Sequence, residues 1–254
     1  MNQALTVQEL VIAIAAKNLK PSILNPDFLK YTGIIPEDWE FSDKPIFKNN
    51  VVRIAFKNNV NIIAQGNRLM FAEAIGKKSS DSVLVPEIAR KFAEKLPNID
   101  FQAVGINPRG FVAFDKEGAA REFMTQKLLS PGGWNDVGEA PMQASLNLVY
   151  KLERGPLSLN ISEAALKQEN KRIPLVIFSG SFGYEIGSNS KEEKLGLINQ
   201  LIGNWFADVT TFSDLVNNKF MNQAKHHISL AEMLENIPEA KAEEVDLFAV
   251  GAGA

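Results

Sequence analysis

Apolar positions along this chain recur in two rhythms, and the changes between them outline the elements. Val51-Val52-Arg53-Ile54-Ala55-Phe56, Val60-Asn61-Ile62-Ile63-Ala64 and Leu69-Met70-Phe71-Ala72 are short β-rich runs separated by Asn58-Asn59 and Gly66-Asn67. Asn and Gly tolerate the positive φ that tight hairpin turns require, so the runs predict a three-stranded meander. Before it, residues 5–16 form an apolar stretch whose length fits either a buried strand or a short helix. Residues 21–45 carry four prolines with Phe28, Tyr31, Trp39 and Phe41, the composition of an ordered wrapping loop. After the meander the rhythm turns helical. Pro86 suits a first turn, Ile88, Ala89, Phe92 and Leu96 share one face, and Pro97 stops the helix. Phe101 to Ile106 and Phe111 to Phe114 then read as strands around Asn107-Pro108-Arg109-Gly110, a strong turn tetrapeptide. A helix beginning near Asp115 would bury Ala119, Phe123 and Leu128.

Residues 130–141, with Ser130-Pro131-Gly132-Gly133-Trp134 at their head, are rich in breakers and lack periodicity. Beyond them the same grammar returns: residues 144–152 alternate, Gly155-Pro156 turns the chain, residues 157–161 alternate, and residues 173–178 form an apolar strand. Leu195, Ile198, Ile202, Trp205, Val209, Phe212 and Val216 then fall at three- and four-residue steps, the stripe of one long helix. Ser190, with Glu193 three positions on, marks its start as a capping box. This order predicts an α+β fold of antiparallel β-meanders, in one large or two related sheets, with helices packed on one face and a long C-terminal helix. A meander-plus-helix unit used twice is the trace an internal duplication would leave. The organisation expected is residues 1–129 as an N-terminal meander and helices, 130–141 as a junction loop, 142–228 as a second meander with the long helix, and 229–254 as an acidic, mobile tail.

Composition narrows the function classes. The 254 residues are 45% hydrophobic, enough for a substantial core, and carry a net charge of -3 without a long block of like charge. Nucleic acid is therefore an unfavoured partner. The absence of cysteine excludes disulfides, thiolate metal sites and cysteine nucleophiles. The apolar run at residues 10–16 is too short to span a bilayer and follows Gln8 and Glu9 instead of a basic segment, which points to a cytoplasmic protein without membrane attachment.

Val176-Ile177-Phe178-Ser179-Gly180-Ser181-Phe182-Gly183-Tyr184-Glu185-Ile186-Gly187-Ser188 is where chemistry would first be sought. A nucleophile elbow needs Gly-x-Ser-x-Gly, but Ser179 stands at the first glycine position, and the only histidines are His226-His227. A Walker loop needs a lysine that Gly187-Ser188-Asn189 lacks. The stretch reads instead as a strand end, with Gly180 and Gly183 allowing a bend or close packing before the helix. His226 and His227 project about 100° apart on a helix and cannot chelate one ion. Asp208 and Asp214 do not share a helical face, so no paired-carboxylate site is expected there, and no metal or cofactor. The binding candidates are Arg68 after a hairpin turn, Asn107 and Arg109 at another tip, and Ser181 and Glu185 at the strand end.

Residues 62–73 (IIAQGNRLMFAE), residues 102–108 (QAVGINP) and the helical segments 204–208 and 217–220 resemble a sporadically distributed family of uncharacterised bacterial proteins, and more closely a cyanobacterial set. The resemblance spans residues 5–220 as an order of elements and implies an α+β fold without an established activity. The expected function is a non-catalytic protein-binding or assembly protein, with a protein partner or self-association as a homodimer. The acidic tail with its apolar end would serve as a docking peptide. Alternatives are a small-ligand-binding protein or hydrolase with a pocket between the two halves, using Ser181, Glu185 or Arg109, and a phage or defence-system component.

Overall fold

The computed structural model describes residues 4–130, 132–139, 142–168, 171–187 and 190–221. The expected acidic tail, its docking role and His226-His227 lie outside the described residues. Nine antiparallel strands form one sheet in the order β2-β3-β4-β5-β1-β6-β9-β8-β7. Strand β1 (Thr6–Lys17) resolves the ambiguous first segment. It lies in the middle of the sheet, between β5 and β6, with Leu10, Ile12, Ile14 and Ala16 buried on one face and Val11, Ala13 and Ala15 half-buried on the other.

Residues 18–45 wrap over the sheet, as their prolines and aromatics suggest. Their helix α1 (Pro26–Tyr31) starts at Asn25, whose Oδ1 accepts from Asp27 N at 2.8 Å. Leu24, Leu29, Ile34 and Ile35 enter the core. Strand β2 (Ile46–Lys48) follows at the sheet's edge, then the expected meander, β3 (Val51–Ala55), β4 (Val60–Gln65) and β5 (Arg68–Ala74). The meander turns at Asn59 and Gly66, both with positive φ, as the turn chemistry requires. Helix α2 (Val85–Lys95) carries Pro86 in its first turn and lays Ile88, Ala89, Phe92 and Ala93 on the sheet, with Phe92 edge-on to Phe71. Its first turn is held from a distance: the buried Glu73 carboxylate accepts from Leu84 N at 2.7 Å and Val85 N at 2.9 Å, and pairs with Lys78.

Strand β6 (Asp100–Ala113) overturns one expectation. Asn107-Pro108-Arg109-Gly110 is not a turn but the middle of this strand, paired with β1 throughout. Proline in a central strand forfeits a ladder hydrogen bond. The β6 ladder to β9 accordingly skips from Ile106↔Phe182 to Arg109↔Ser179 without changing register. In that register Pro108 faces Gly180, and the Asn107 side chain donates its Nδ2 to Val11 O at 3.0 Å on the β1 side.

Helix α3 (Ala119–Glu122) runs into a π-helical segment over Phe123–Leu128, and Arg121 forks onto Glu163 at 3.0 and 3.1 Å. The second meander is β7 (Ser145–Leu152), β8 (Gly155–Gln168) and β9 (Lys171–Glu185), with β8 and β9 longer than their apolar runs. Because β9 continues to Glu185, the Ser179-Gly180-Ser181 stretch is strand interior and not the expected strand end. A Cβ at Gly180 would lie 2.8 Å from Phe212 Cδ2, so this glycine serves close packing, whereas Gly183 has open space around it. The expected long helix is described as α4 (Lys191–Gly203), capped by the Ser190 hydroxyl, then α5 (Trp205–Leu215) after a break at Asn204, and a π-helical turn over Val216–Met221. The stripe stays on the core across the break: Ile198, Ile202, Val209, Phe212 and Val216 are all buried.

Fold class is thus α+β, with one sheet joining both parts of the chain through the β6–β9 ladder. Both meanders walk inward from an edge, and each is followed by a helix on the same face. Leu10, Ile12 and Ile14 of β1, Leu69 and Phe71 of β5, Val104 and Ile106 of β6, and Phe178 and Phe182 of β9 form the core beneath the helices. Among the described residues, no helix packs on the opposite face.

Candidate functional site

The uncovered face of the sheet is built from the other half of each strand's alternation, and register places its residues in rows. One row crosses five strands: Glu9 faces Arg109, Arg109 faces Ser179, Ser179 faces Asn160, and Asn160 faces Asn147. The adjacent row runs Val11, Asn107, Ser181, Ser158 and Val149. Short polar side chains are stitched together within these rows. Ser181 Oγ donates to Asn107 Oδ1 at 2.7 Å, and Asn160 Nδ2 donates to Asn147 Oδ1 at 2.8 Å. Partial burial raises the Glu9 carboxyl above its ordinary value, while the Arg109 charge opposes the rise.

A strip of small and apolar residues, Ile63, Met70, Ala13, Gly105 and Gly183, comes next. Beyond it lies a third row: Val51, Gln65, Arg68, Ala15, Ala103 and Glu185. Arg68 sits directly after its hairpin turn as expected and is exposed. Glu185 ends β9, also exposed, three strand spacings or about 14 Å from Arg68.

All five sequence candidates therefore lie on one face. Asn107, Arg109 and Ser181 come together in neighbouring rows, while Arg68 and Glu185 stand apart at its far margin. Contrary to expectation, neither Asn107 nor Arg109 is at a loop tip; strand parity, not a turn, turns them to the uncovered side. Asn147, Ser158, Asn160 and Ser179 were missed. The signal for Asn147, Ser158 and Asn160 was present as the polar half of the alternation in 144–152 and 157–161, and that for Ser179 in its alternation with Phe178 and Gly180.

The groups that this face presents are mostly hydrogen-bonding amides and hydroxyls. Ser181 hydrogen-bonds an amide oxygen, which can accept a hydrogen bond but is not a base able to take the hydroxyl proton at neutral pH. Among the described residues, no cluster of three His, Cys, Asp or Glu is arranged to hold a metal ion. One recess of about 260 Å³ lies elsewhere, lined by Asp38, Trp39, Glu40, Lys57 and Asn58 near the β3–β4 turn.

A second polar cluster lies under the helices. Asp208 of α5 is almost fully buried and its Oδ1 accepts from Tyr184 Oη at 2.8 Å and Arg154 Nε at 3.0 Å, while its Oδ2 lacks a partner. Burial raises the Asp208 carboxyl, opposed by Tyr184 and Arg154. Burial and the bond to Asp208 push the Tyr184 phenol up to about 12. This cluster ties the β7–β8 turn and β9 to α5, a tertiary role that the spacing of Asp208 and Asp214 could not reveal.

No protein-family model and no curated protein matches the sequence. Among the described residues, no helix is long and apolar enough to cross a membrane.

Proposed function

We propose that this is a non-catalytic binding or assembly protein of the cytoplasm that presents the uncovered face of its sheet to a protein partner or to its own copies. The observation that carries the reading is the convergence of Asn107, Arg109, Ser181, Asn160 and Asn147 into stitched polar rows beside an apolar strip, on a sheet face that no described helix covers. Two inward-running meanders, each followed by a helix, support descent from a duplicated unit, and the order of elements fits kinship with the sporadically distributed bacterial family named above. The net charge of -3 favours a protein over a nucleic acid or an anionic membrane as partner.

Capture from the native cell tests this, with Ser158→Lys and Arg68→Glu as probes at opposite ends of the face. Both positions are exposed, so the fold survives by circular dichroism. The expected result is loss of the partner captured by the wild-type chain. Retention of every captured protein by both variants rejects the face as the binding surface.

A further inference from the structure

The two edges of the sheet are treated differently by the sequence. An open edge presents unpaired N–H and C=O groups, and natural sheets guard against pairing there with short strands, proline and lysine. At one end, β2 is three residues long, preceded by Lys44-Pro45 and ended by Lys48. That edge is guarded. At the other end, β7 is an eight-residue strand, SLNLVYKL, without proline or acidic residues and with Lys151 as its only charge. Among the described residues it pairs with β8 alone. Its length is about 26 Å, long for an unprotected edge.

The hairpin fixes which backbone groups point outward. Leu152 and Gly155 flank the two-residue turn Glu153-Arg154, so they form a hydrogen-bonded pair, and inward bonding alternates back through Tyr150, Leu148 and Leu146. Pro156, which has no N–H to give, accordingly falls opposite Lys151 in a non-bonded pair. Ser145, Asn147, Val149 and Lys151 therefore each aim one N–H and one C=O away from the sheet. The side chains repeat the asymmetry. Leu146, Leu148, Tyr150 and Leu152 face the helical side but are only half-buried, whereas Leu157, Leu159 and Ile161 on the next strand are fully buried. The helical layer stops short of β7, and Val149 on the other face is 71% exposed.

We infer that β7 is the self-association edge, pairing antiparallel with β7 of a second copy about a two-fold axis through Leu148. The inference rests on the reading of a self-assembling protein and names its surface. A second copy is favoured because the strand is complementary to itself. In this register Leu148 meets the Leu148 of the second copy, Leu146 meets Tyr150, and the outward backbone groups of Asn147 and Val149 bond to one another. Lys151 meets Ser145 and not a second lysine, so no like charges face each other. The half-covered apolar row becomes an interior, and the axis, perpendicular to the sheet, joins the two uncovered faces side by side.

The cysteine-free sequence gives a clean test, because an introduced cysteine is the only thiol. Sedimentation of the full chain should show a dimer, and Val149→Lys should weaken it at least about tenfold without loss of circular dichroism signal. Under mild oxidation, Leu148→Cys should give a covalent dimer, since opposed residues at a non-bonded antiparallel position have Cα atoms about 4.5 Å apart. Phe47→Cys, on the exposed guarded edge, should not. A wild-type chain that stays monomeric at about 100 µM overturns the inference, as does a dimer indifferent to Val149→Lys or one crosslinked through Phe47→Cys in preference to Leu148→Cys. Partner capture with Ser158→Lys and Arg68→Glu is read separately, so a monomer that still captures its partner removes this edge without removing the uncovered face.

Discussion

Replacing Gly180 and Gly183 singly by alanine tests the packing of the sheet against α5 on two positions of one strand. Both glycines lie in β9 outside the positive-φ region, so alanine is compatible with the backbone at each. At Gly183 no atom lies within 4 Å of the new methyl. The main effect there is on the unfolded chain, a stabilisation of about 0.4–1 kcal/mol. At Gly180 the methyl would stand 2.8 and 3.2 Å from the Phe212 ring and 3.3 Å from Pro108 Cγ, where ordinary contacts begin near 3.4 Å. Phe212 is fully buried and cannot swing into solvent. Overpacking of this kind costs about 1–3 kcal/mol, so after the unfolded-state gain Gly180→Ala should be destabilised by about 1–2 kcal/mol. Urea unfolding followed by circular dichroism measures both variants, and the melting temperature should fall by roughly 2–4 °C per kcal/mol lost. Phe212→Leu in the Gly180→Ala background should recover part of the loss through a coupling of about 0.5 kcal/mol or more. Equal stability of the two alanine variants, or zero coupling to Phe212, would refute the close-packing account of Gly180.

Three further outcomes follow from the buried polar groups. Glu73→Ala strands Leu84 N and Val85 N at the start of α2 and removes the partner of Lys78, and should cost about 2–4 kcal/mol by urea unfolding; a loss below about 1 kcal/mol would show that water replaces the carboxylate. Asp208 has its carboxyl raised by burial, so the folded state holds the proton more tightly than the unfolded chain. Its contribution is most favourable below the ordinary value of 3.8 and declines as pH rises through the higher folded value. The stability difference between Asp208→Asn and wild type should therefore move in favour of the variant across that window, and a difference constant over roughly pH 3 to 7 contradicts the assignment. Tyr184 should ionise at about 12, against an ordinary 10.0, in an ultraviolet phenolate titration. Stability should drop between those two values, and Tyr184→Phe should remove that step, whereas a normal titration of all three tyrosines speaks against the buried cluster.

Local signals sufficed where local chemistry decides the outcome. The β3–β4–β5 meander was legible because Asn59 and Gly66 adopt the positive φ their residue types favour, and α2 because Pro86 and its apolar face agree. Asn107-Pro108-Arg109-Gly110 was misread for the converse reason. Its turn propensity is real, but distant groups outweigh it: β1 pairs along its whole length, Asn107 bonds Val11, and the missing side chain at Gly180 makes room for Pro108. The extra length of β9 was hidden because Ser179 and Ser181 interrupt its apolar run, as residues on an uncovered face do, and that of β8 because Ser162, Glu163 and Lys167 break the alternation beyond Ile161. Candidate residues could be named from sequence, but their shared face could not, since it depends on the register of strands far apart in the chain.

That register also supports the binding role proposed for the uncovered face over that of a merely solvated surface. Its β6–β9–β8–β7 half is furnished with serine and asparagine, side chains with few rotamers to lose, and the Asn107–Ser181 and Asn160–Asn147 bonds already restrict them. A partner docking there meets an ordered surface and loses little additional side-chain entropy to it. Long charged residues would make the opposite choice, remaining soluble by staying mobile. Here they stand as Arg109 and Glu9 in one row, Arg53 beside Ile63, Lys151 beside Pro156, and Arg68 and Glu185 at the far margin, so charge frames the small polar rows and the apolar strip. In the proposed binding role, contact would come from the centre of this distribution and orientation from its charged rim. Pairing through β7 would place two such frames side by side, and a two-fold symmetric or elongated partner would then gain from both at once.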